Sequence, residues 1–239
     1  MSSLNYIFGR FIILIGRIIA LFLVQVEIKG QENYDANKPY LLICNHFSWF
    51  DPPILSIFLP KVPHFVLATE ALDAWYIRVV VKVFEFIPIW RGQVDRGAMR
   101  AIVEMLEQDE PVLIFPEGGV DPEMAERVAK GEQVHEVGGH MSRESAQLMT
   151  ARDGTAYLAN MSNAQILPMA LTGTEQIVGN LGKFRRTKVT LTIGEPFGPL
   201  VLEKGVRGQA RKQRLHEMSD TLMKEIAALL PEENRGIYA

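Results

Sequence analysis

The chain has 239 residues, of which 48% are hydrophobic, enough to bury one sizeable core, and nothing in it marks a second domain. Its formal net charge of -3 argues against a nucleic-acid protein, and its single cysteine, Cys44, excludes an internal disulfide. No internal repeat or low-complexity tract is present.

In chain order, the first element is an apolar helix over Tyr6 to Val26, interrupted by Arg10 and Arg17, whose seven-residue spacing places both on one helical face. An arginine near the centre of a spanning helix costs about 2.5 to 3.5 kcal/mol on insertion scales, so a helix lying in the membrane interface with its arginines at headgroup level is cheaper. This predicts a membrane-associating helix within residues 1–30, attached on the cytoplasmic face, with a single spanning helix or a buried core helix as the other readings. No small-residue cleavage site follows it, so a removable signal is not expected. Residues 31–239 then read as one domain.

Tyr40 to Cys44 is an apolar run of buried-strand length, and Pro52-Pro53 opens a helix to Leu59. Between them lies Asn45-His46-Phe47-Ser48-Trp49-Phe50-Asp51. On a regular helix His46 and Asp51 would sit roughly 140° apart, so they meet only across a non-helical turn, which a strand end followed by a helix start provides. A carboxylate bonded to one ring nitrogen fixes the tautomer, leaves the other nitrogen free to accept a proton, and stabilises the imidazolium that forms. Asp51 also suits a helix N-cap, and the two roles are compatible.

Strands follow at His64 to Ala68 and Phe86 to Trp90, separated by a helix over Leu72 to Phe84. Asp95 caps a helix to Gln108. A strand over Pro111 to Phe115 runs into Pro116-Glu117-Gly118-Gly119, and a helix near Thr155 to Met161 precedes strands Gln165 to Leu171 and Lys188 to Ile193. An amphipathic helix from Glu203 or Gly205 to Leu230 closes the chain. This alternation predicts an α/β fold with a mostly parallel central sheet flanked by helices. His46, Arg91 and Glu117 all follow strand C-termini, the edge at which open α/β sheets collect their ligands.

Four blocks occur in fixed order: Asn45-His46 through Asp51, Ile87-Pro88-Ile89-Trp90-Arg91-Gly92, Ile114-Phe115-Pro116-Glu117-Gly118, and Ile166-Leu167-Pro168-Met169-Ala170-Leu171. With them the chain resembles the glycerolipid acyltransferases of the 1-acylglycerol-3-phosphate acyltransferase type, from about Val26 to Pro199. The resemblance implies that His46 deprotonates a glycerol hydroxyl, which attacks the thioester of acyl-CoA or an acyl-carrier protein without a covalent acyl-enzyme. Asp51 orients the base. Arg91 and Gly92 match the block that binds the acceptor phosphate, for which a planar guanidinium is suited. Glu117 matches the acceptor site, with Gly118 and Gly119 permitting close approach to the backbone. The implied partners are membrane lipid, the acyl donor and a lysophospholipid, with phosphatidic acid as product in phospholipid biosynthesis; no cofactor or metal is implied.

Two departures stand out. The family continues its glutamate block as Glu-Gly-Thr-Arg, whereas this chain reads Glu117-Gly118-Gly119-Val120, so one phosphate ligand is missing, Arg152 is the candidate to replace it, and a lysophospholipid with a larger headgroup or another lipid alcohol is the alternative acceptor. Residues 120–151 form an insertion rich in Glu, read as a lid or a partly ordered excursion, with helical patches at Pro122 to Lys130 and Ser142 to Thr150. His135 and His140 lack metal-site spacing. Basic clusters at Lys183, Arg185, Arg186, Lys188 and at Lys204, Arg207, Arg211, Lys212, Arg214 suit anionic lipid, the phosphates of an acyl carrier, or plain solvation. Two other functional classes are compatible with the sequence: a hydrolase using Ser48, although no Gly-x-Ser-x-Gly elbow surrounds it, and a non-catalytic lipid-binding protein that keeps the scaffold.

Overall fold

The computed structural model describes residues 3–73, 78–79, 81, 84–90, 95–120, 130, 141–143 and 145–239. Helix α1 (Ser3–Leu23) leads into strand β1 (Val24–Lys29), then β2 (Leu41–Cys44), α2 (Asp51–Phe58), β3 (His64–Ala68) and β4 (Ile87–Ile89). Helix α3 (Arg96–Glu107), β5 (Val112–Ile114), α4 (Asp153–Ser162), β6 (Ile166–Thr172), α5 (Ile177–Leu181), β7 (Thr187–Ile193) and α6 (Gly208–Leu229) complete the chain. The seven strands form one sheet in the order β1-β7-β6-β2-β5-β3-β4. Every neighbouring pair is parallel except β6 and β7.

The expected α/β architecture is therefore present. Strand β2 is buried at every position, as its unbroken apolar run requires, and successive residues serve opposite faces. Leu41 and Ile43 pack with Ile102, Leu158 and Leu222 from α3, α4 and α6. Leu42 and Cys44 pack with Ala20 and Leu55 from α1 and α2. Strand β7, nearer the sheet edge, alternates instead: Thr187, Val189, Leu191 and Ile193 are buried and the residues between them are not.

The differences from the sequence reading are local. The apolar helix ends at Leu23, and Val24–Lys29 is a strand that the reading ran into helix and loop; it pairs in register with β7, from Val24 beside Thr187 to Lys29 beside Thr192. The described residues of Ser142 to Thr150 are not helical, for backbone groups here and at Met141 are spent on other partners: Trp49 N donates to Met141 O, Arg143 N to Phe47 O and Leu148 N to Asn234 O. The patch at Pro122 to Lys130 and most of the helix expected at Leu72 to Phe84 lie outside the described residues, and Thr69–Asp73 is a 3-10 turn. Asp95 caps α3 as expected, its side chain accepting from Ala98 N at 3.0 Å.

Helix α1 packs through a narrow stripe that includes Gly9, Gly16 and Ala20, and Arg17 Nε donates to Ile57 O at 3.1 Å. A Cβ on Gly16 would come 3.0 Å from the Ile57 side chain, so the small residue sets how closely α1 approaches α2. Elsewhere on α1 the apolar side chains Phe8, Phe11, Leu14, Ile15, Ile18, Ile19, Leu21 and Phe22 are exposed. Among the described residues no helix is long and apolar enough to cross a membrane.

Cys44 is fully buried, and burial, reinforced by the Asp51 and Glu117 carboxylates, pushes its thiol well above the ordinary value. Alkylation requires thiolate and access, and the folded chain supplies neither. At pH about 8.5, where an ordinary thiol is half ionised, iodoacetamide should leave the native protein unmodified and add one group after denaturation, read by intact mass. Labelling of the folded protein at the denatured rate would contradict this placement.

Candidate active site

The site grows from the end of β2. Asn45 is fully buried and its amide acts as an extra peptide group toward β6: Nδ2 donates to Leu171 O at 2.8 Å, and Oδ1 accepts from Leu171 N at 2.8 Å. This extends the β2–β6 pairing by side chain at the residue where the backbone leaves the sheet. His46 comes next, and its backbone N–H donates to Glu117 Oε1 at 2.9 Å.

The chain then turns through Phe47 to Phe50 into α2, and Asp51 holds that turn together. Its Oδ2 accepts from Phe47 N and Ser48 N, each at 2.8 Å, and from His46 Nδ1 at 2.9 Å. Its Oδ1 accepts from the Thr174 hydroxyl. A carboxylate offers only acceptors, so the hydrogen between His46 and Asp51 sits on Nδ1, and Nε2 presents its lone pair. The ring lies against Phe115, centroids 4.0 Å apart and planes 16° from parallel. Asp51 is fully buried while the His46 side chain keeps 15% of its exposure, which leaves the ring reachable from outside. Nε2 has no hydrogen-bond partner among the described residues.

Glu117 follows β5 and is fully buried. Besides His46 N it receives Met149 N at 2.9 Å and the Arg143 guanidinium, both on Oε2. Burial pushes its carboxyl above the usual glutamate value, and Arg143 with the two amides opposes that rise. Arg143, 3% exposed, also donates to Val120 O, Gly119 O and Gln147 O, and its guanidinium lies 5.4 Å from the Phe47 ring centroid. Gly118 takes a left-handed φ of 79°, and the space its missing Cβ leaves is filled by the Arg152 side chain, 3.1 Å away.

Of the expected residues, His46, Asp51, Glu117, Gly118 and Gly119 thus form one connected group, with Arg152 packed on its rim. Arg91, Gly92, His135 and His140 lie outside the described residues. Among the described residues no three His, Cys, Asp or Glu side chains are grouped to hold a metal ion. Ser48 is turned away from the base: its buried hydroxyl donates to Met141 O at 3.3 Å and lies 3.0 Å from Ser142 Oγ. That removes the geometry a serine nucleophile needs.

Sequence reasoning missed Thr174 and Arg143. Thr174 had one signal, its place just after the Ile166 to Leu171 block behind Gly173. Arg143 had none, because it arrives through the insertion from a position no motif counts.

An imidazole with its tautomer fixed by a buried carboxylate, set at the C-terminal edge of strands β2 and β5 and open on its second nitrogen, is an arrangement suited to accepting a proton in group transfer. The chain belongs to the Acyltransferase family, whose model matches residues 25–172. It is 24% identical over 207 residues to the 1-acyl-sn-glycerol-3-phosphate acyltransferase of Bacillus subtilis, covering 85% of this chain and 87% of that protein. The fold is similar to the crystal structure of the 1-acyl-sn-glycerophosphate (LPA) acyltransferase PlsC of Thermotoga maritima, with a TM-score of 0.61 at 19% identity, over 92% of this chain and 78% of that one.

Replacing Arg143 with Met strands a buried carboxylate and should destabilise the fold by about 3 to 5 kcal/mol near neutral pH. The sign with pH follows from the raised carboxyl. Such a group favours the folded chain most below its unfolded value and loses that contribution as pH rises through the folded one. Without Arg143 to oppose burial the folded value climbs further, so the deficit of Arg143→Met should shrink on acidification toward pH about 4, where an unfolded glutamate is half protonated. Urea titrations of both proteins across that range measure it, and an equal deficit at every pH would refute the account.

Proposed function

We propose that the chain is an O-acyltransferase that moves a fatty acyl group from acyl-CoA or an acyl-carrier protein to the free hydroxyl of a lysophospholipid, with 1-acylglycerol 3-phosphate as acceptor and phosphatidic acid as product. The observation that carries this reading is the His46 imidazole, bonded through Nδ1 to Asp51 and unfilled at Nε2. Nε2 takes the proton of the acceptor hydroxyl as its oxygen bonds to the thioester carbonyl carbon. The tetrahedral intermediate then expels the thiolate, breaking the carbon–sulfur bond, and the imidazolium returns the proton to that sulfur. Asp51 stabilises the imidazolium while it lasts. The names of the Bacillus subtilis and Thermotoga maritima relatives support the choice of acceptor.

In this reading Arg152 takes the part of the missing arginine of the glutamate block and works with Arg91 and Gly92 on the acceptor phosphate. Its packing over Gly118, next to the glutamate that holds His46, supports that. Glu117 and Gly119 act on the acceptor site through the backbone they hold in place. The exposed apolar face of α1 supports attachment to the cytoplasmic leaflet of a membrane without crossing it, with Arg10 and Arg17 on one flank at headgroup level.

The test is purified protein with labelled acyl-CoA or acyl-carrier protein and a panel of lysophospholipids. His46→Ala should lower turnover about a hundred-fold or more, and Arg152→Ala should raise the acceptor KM with a smaller effect on kcat. Normal turnover in His46→Ala would overturn the base assignment, and a preferred acceptor lacking a phosphomonoester would overturn the substrate.

A further inference from the structure

The connection between β6 and β7 leaves the sheet at Thr172, gives Thr174 to Asp51, runs through α5, and returns at Thr187. Its tip is Lys183-Phe184-Arg185-Arg186. Phe184 is 99% exposed and has a φ of 51°, a left-handed conformation that a bulky non-glycine residue seldom takes. The turn is closed beneath it: Phe184 N donates to Leu181 O at 3.0 Å, and Lys183 N and Arg185 N both donate to Asn180 O at 3.0 Å. Asn180 Nδ2 donates to Thr187 Oγ1 at 3.1 Å. The backbone is thus pinned in a shape that holds a large apolar ring in water, where the ring contributes nothing to the fold. Leu181 and Val178, one and two turns earlier, are exposed as well.

Cations flank the ring. Lys183, Arg185, Arg186 and Lys188 lie within six residues, and the side chains of Lys183 and Arg185 have no partner among the described residues. Arg186 donates to Val24 O at 2.6 Å, directly after α1. Val24 is the register partner of Thr187, so the tip stands beside the last turn of α1, where Leu21 and Phe22 are exposed. The exposed apolar end of α1 and the Phe184 tip are thus brought together at the beginnings of β1 and β7, with positive charge added there.

We propose that the β6–β7 connection is a second lipid-contact arm, in which Phe184 enters the acyl region of an anionic leaflet while Lys183 and Arg185 bind its phosphates, completing the surface that α1 begins. The charge of the tip selects an anionic bilayer, and its ring and pinned turn suit shallow insertion. The proposal rests on the membrane attachment inferred for α1. It adds that binding depends on lipid charge and that Asp51, reached through Thr174, is tied to a segment in contact with the bilayer.

The test is co-sedimentation of the full chain with vesicles of phosphatidylcholine alone and of phosphatidylcholine mixed with phosphatidylglycerol. Phe184→Ser should weaken binding to the mixed vesicles about ten-fold or more. Lys183→Gln/Arg185→Gln should weaken it about five-fold per charge removed and leave binding to neutral vesicles unchanged. All should melt like the parent, since these side chains make no contact that the fold needs. If the loop variants bind like the parent while Phe11→Ser/Ile18→Ser does not, the arm is refuted and attachment through α1 stands. If the parent chain binds neither vesicle, both readings fail. Loop variants that alter self-association but not vesicle binding would assign the tip to contact between copies and overturn the proposal.

Discussion

The Asp51 carboxylate is the interaction on which the site depends. It draws four donors from two stretches of chain: the ring of His46 and the two amides that follow it in the loop, and the hydroxyl of Thr174. The amides fold the backbone back on Asp51 in a turn too tight for α-helix, and that turn delivers the histidine ring to the same oxygen. Pro52 and Pro53, which lack backbone N–H groups, then begin α2 where helical amides have no intrahelical acceptor anyway. The five-residue offset between base and carboxylate, which a helix could not use, follows directly from this turn.

That much was legible because it is local. A strand end, a short polar loop and a proline-marked helix start constrain one another over about a dozen residues, and strand-length apolar runs located most of the sheet. What was not legible is carried by contacts remote in sequence. The edge strand β1 is half exposed and continues an apolar helix without punctuation, so nothing but its pairing with β7 separates the two. Arg143 is remote from Glu117 by the length of an insertion, and its role exists only because Glu117 is buried and needs a counter-charge. Arg91 matched a motif by sequence alone and lies outside the described residues.

The segment around Arg143 changes the meaning of the glutamate block. Both Glu117 oxygens are taken by protein donors, so its carboxylate works by holding the His46 amide and the returning end of the insertion together. Arg143 binds the carbonyls of Gly119 and Val120 as well, and its own amide donates to Phe47 O. Gly119 and Val120 are thereby fixed from the other side. Asn234 bonds to Ala146 and Leu148, so the C-terminal tail keeps this end of the insertion in place. A segment that composition alone marks as an excursion ends as a wall of the site.

The single antiparallel junction in the sheet has a functional consequence. Because β7 runs opposite to β6, and β1 runs with β7, the beginnings of β1 and β7 lie at the edge where β2, β5 and β6 end. Helix α1 enters the fold at that edge through Val24, the β6–β7 connection closes onto it at Thr187, and His46 leaves it after Cys44. Gly173 permits the departure of that connection: at φ 93° its Cα lies so close to Lys188 that a Cβ would sit 2.1 Å from the carbonyl oxygen. Had β1 and β7 been parallel to the rest, α1 and the Phe184 tip would stand at the opposite end of the molecule from the base. One strand reversal is enough to bring the end of α1, the Phe184 tip and the His46–Asp51 pair to one edge of the sheet.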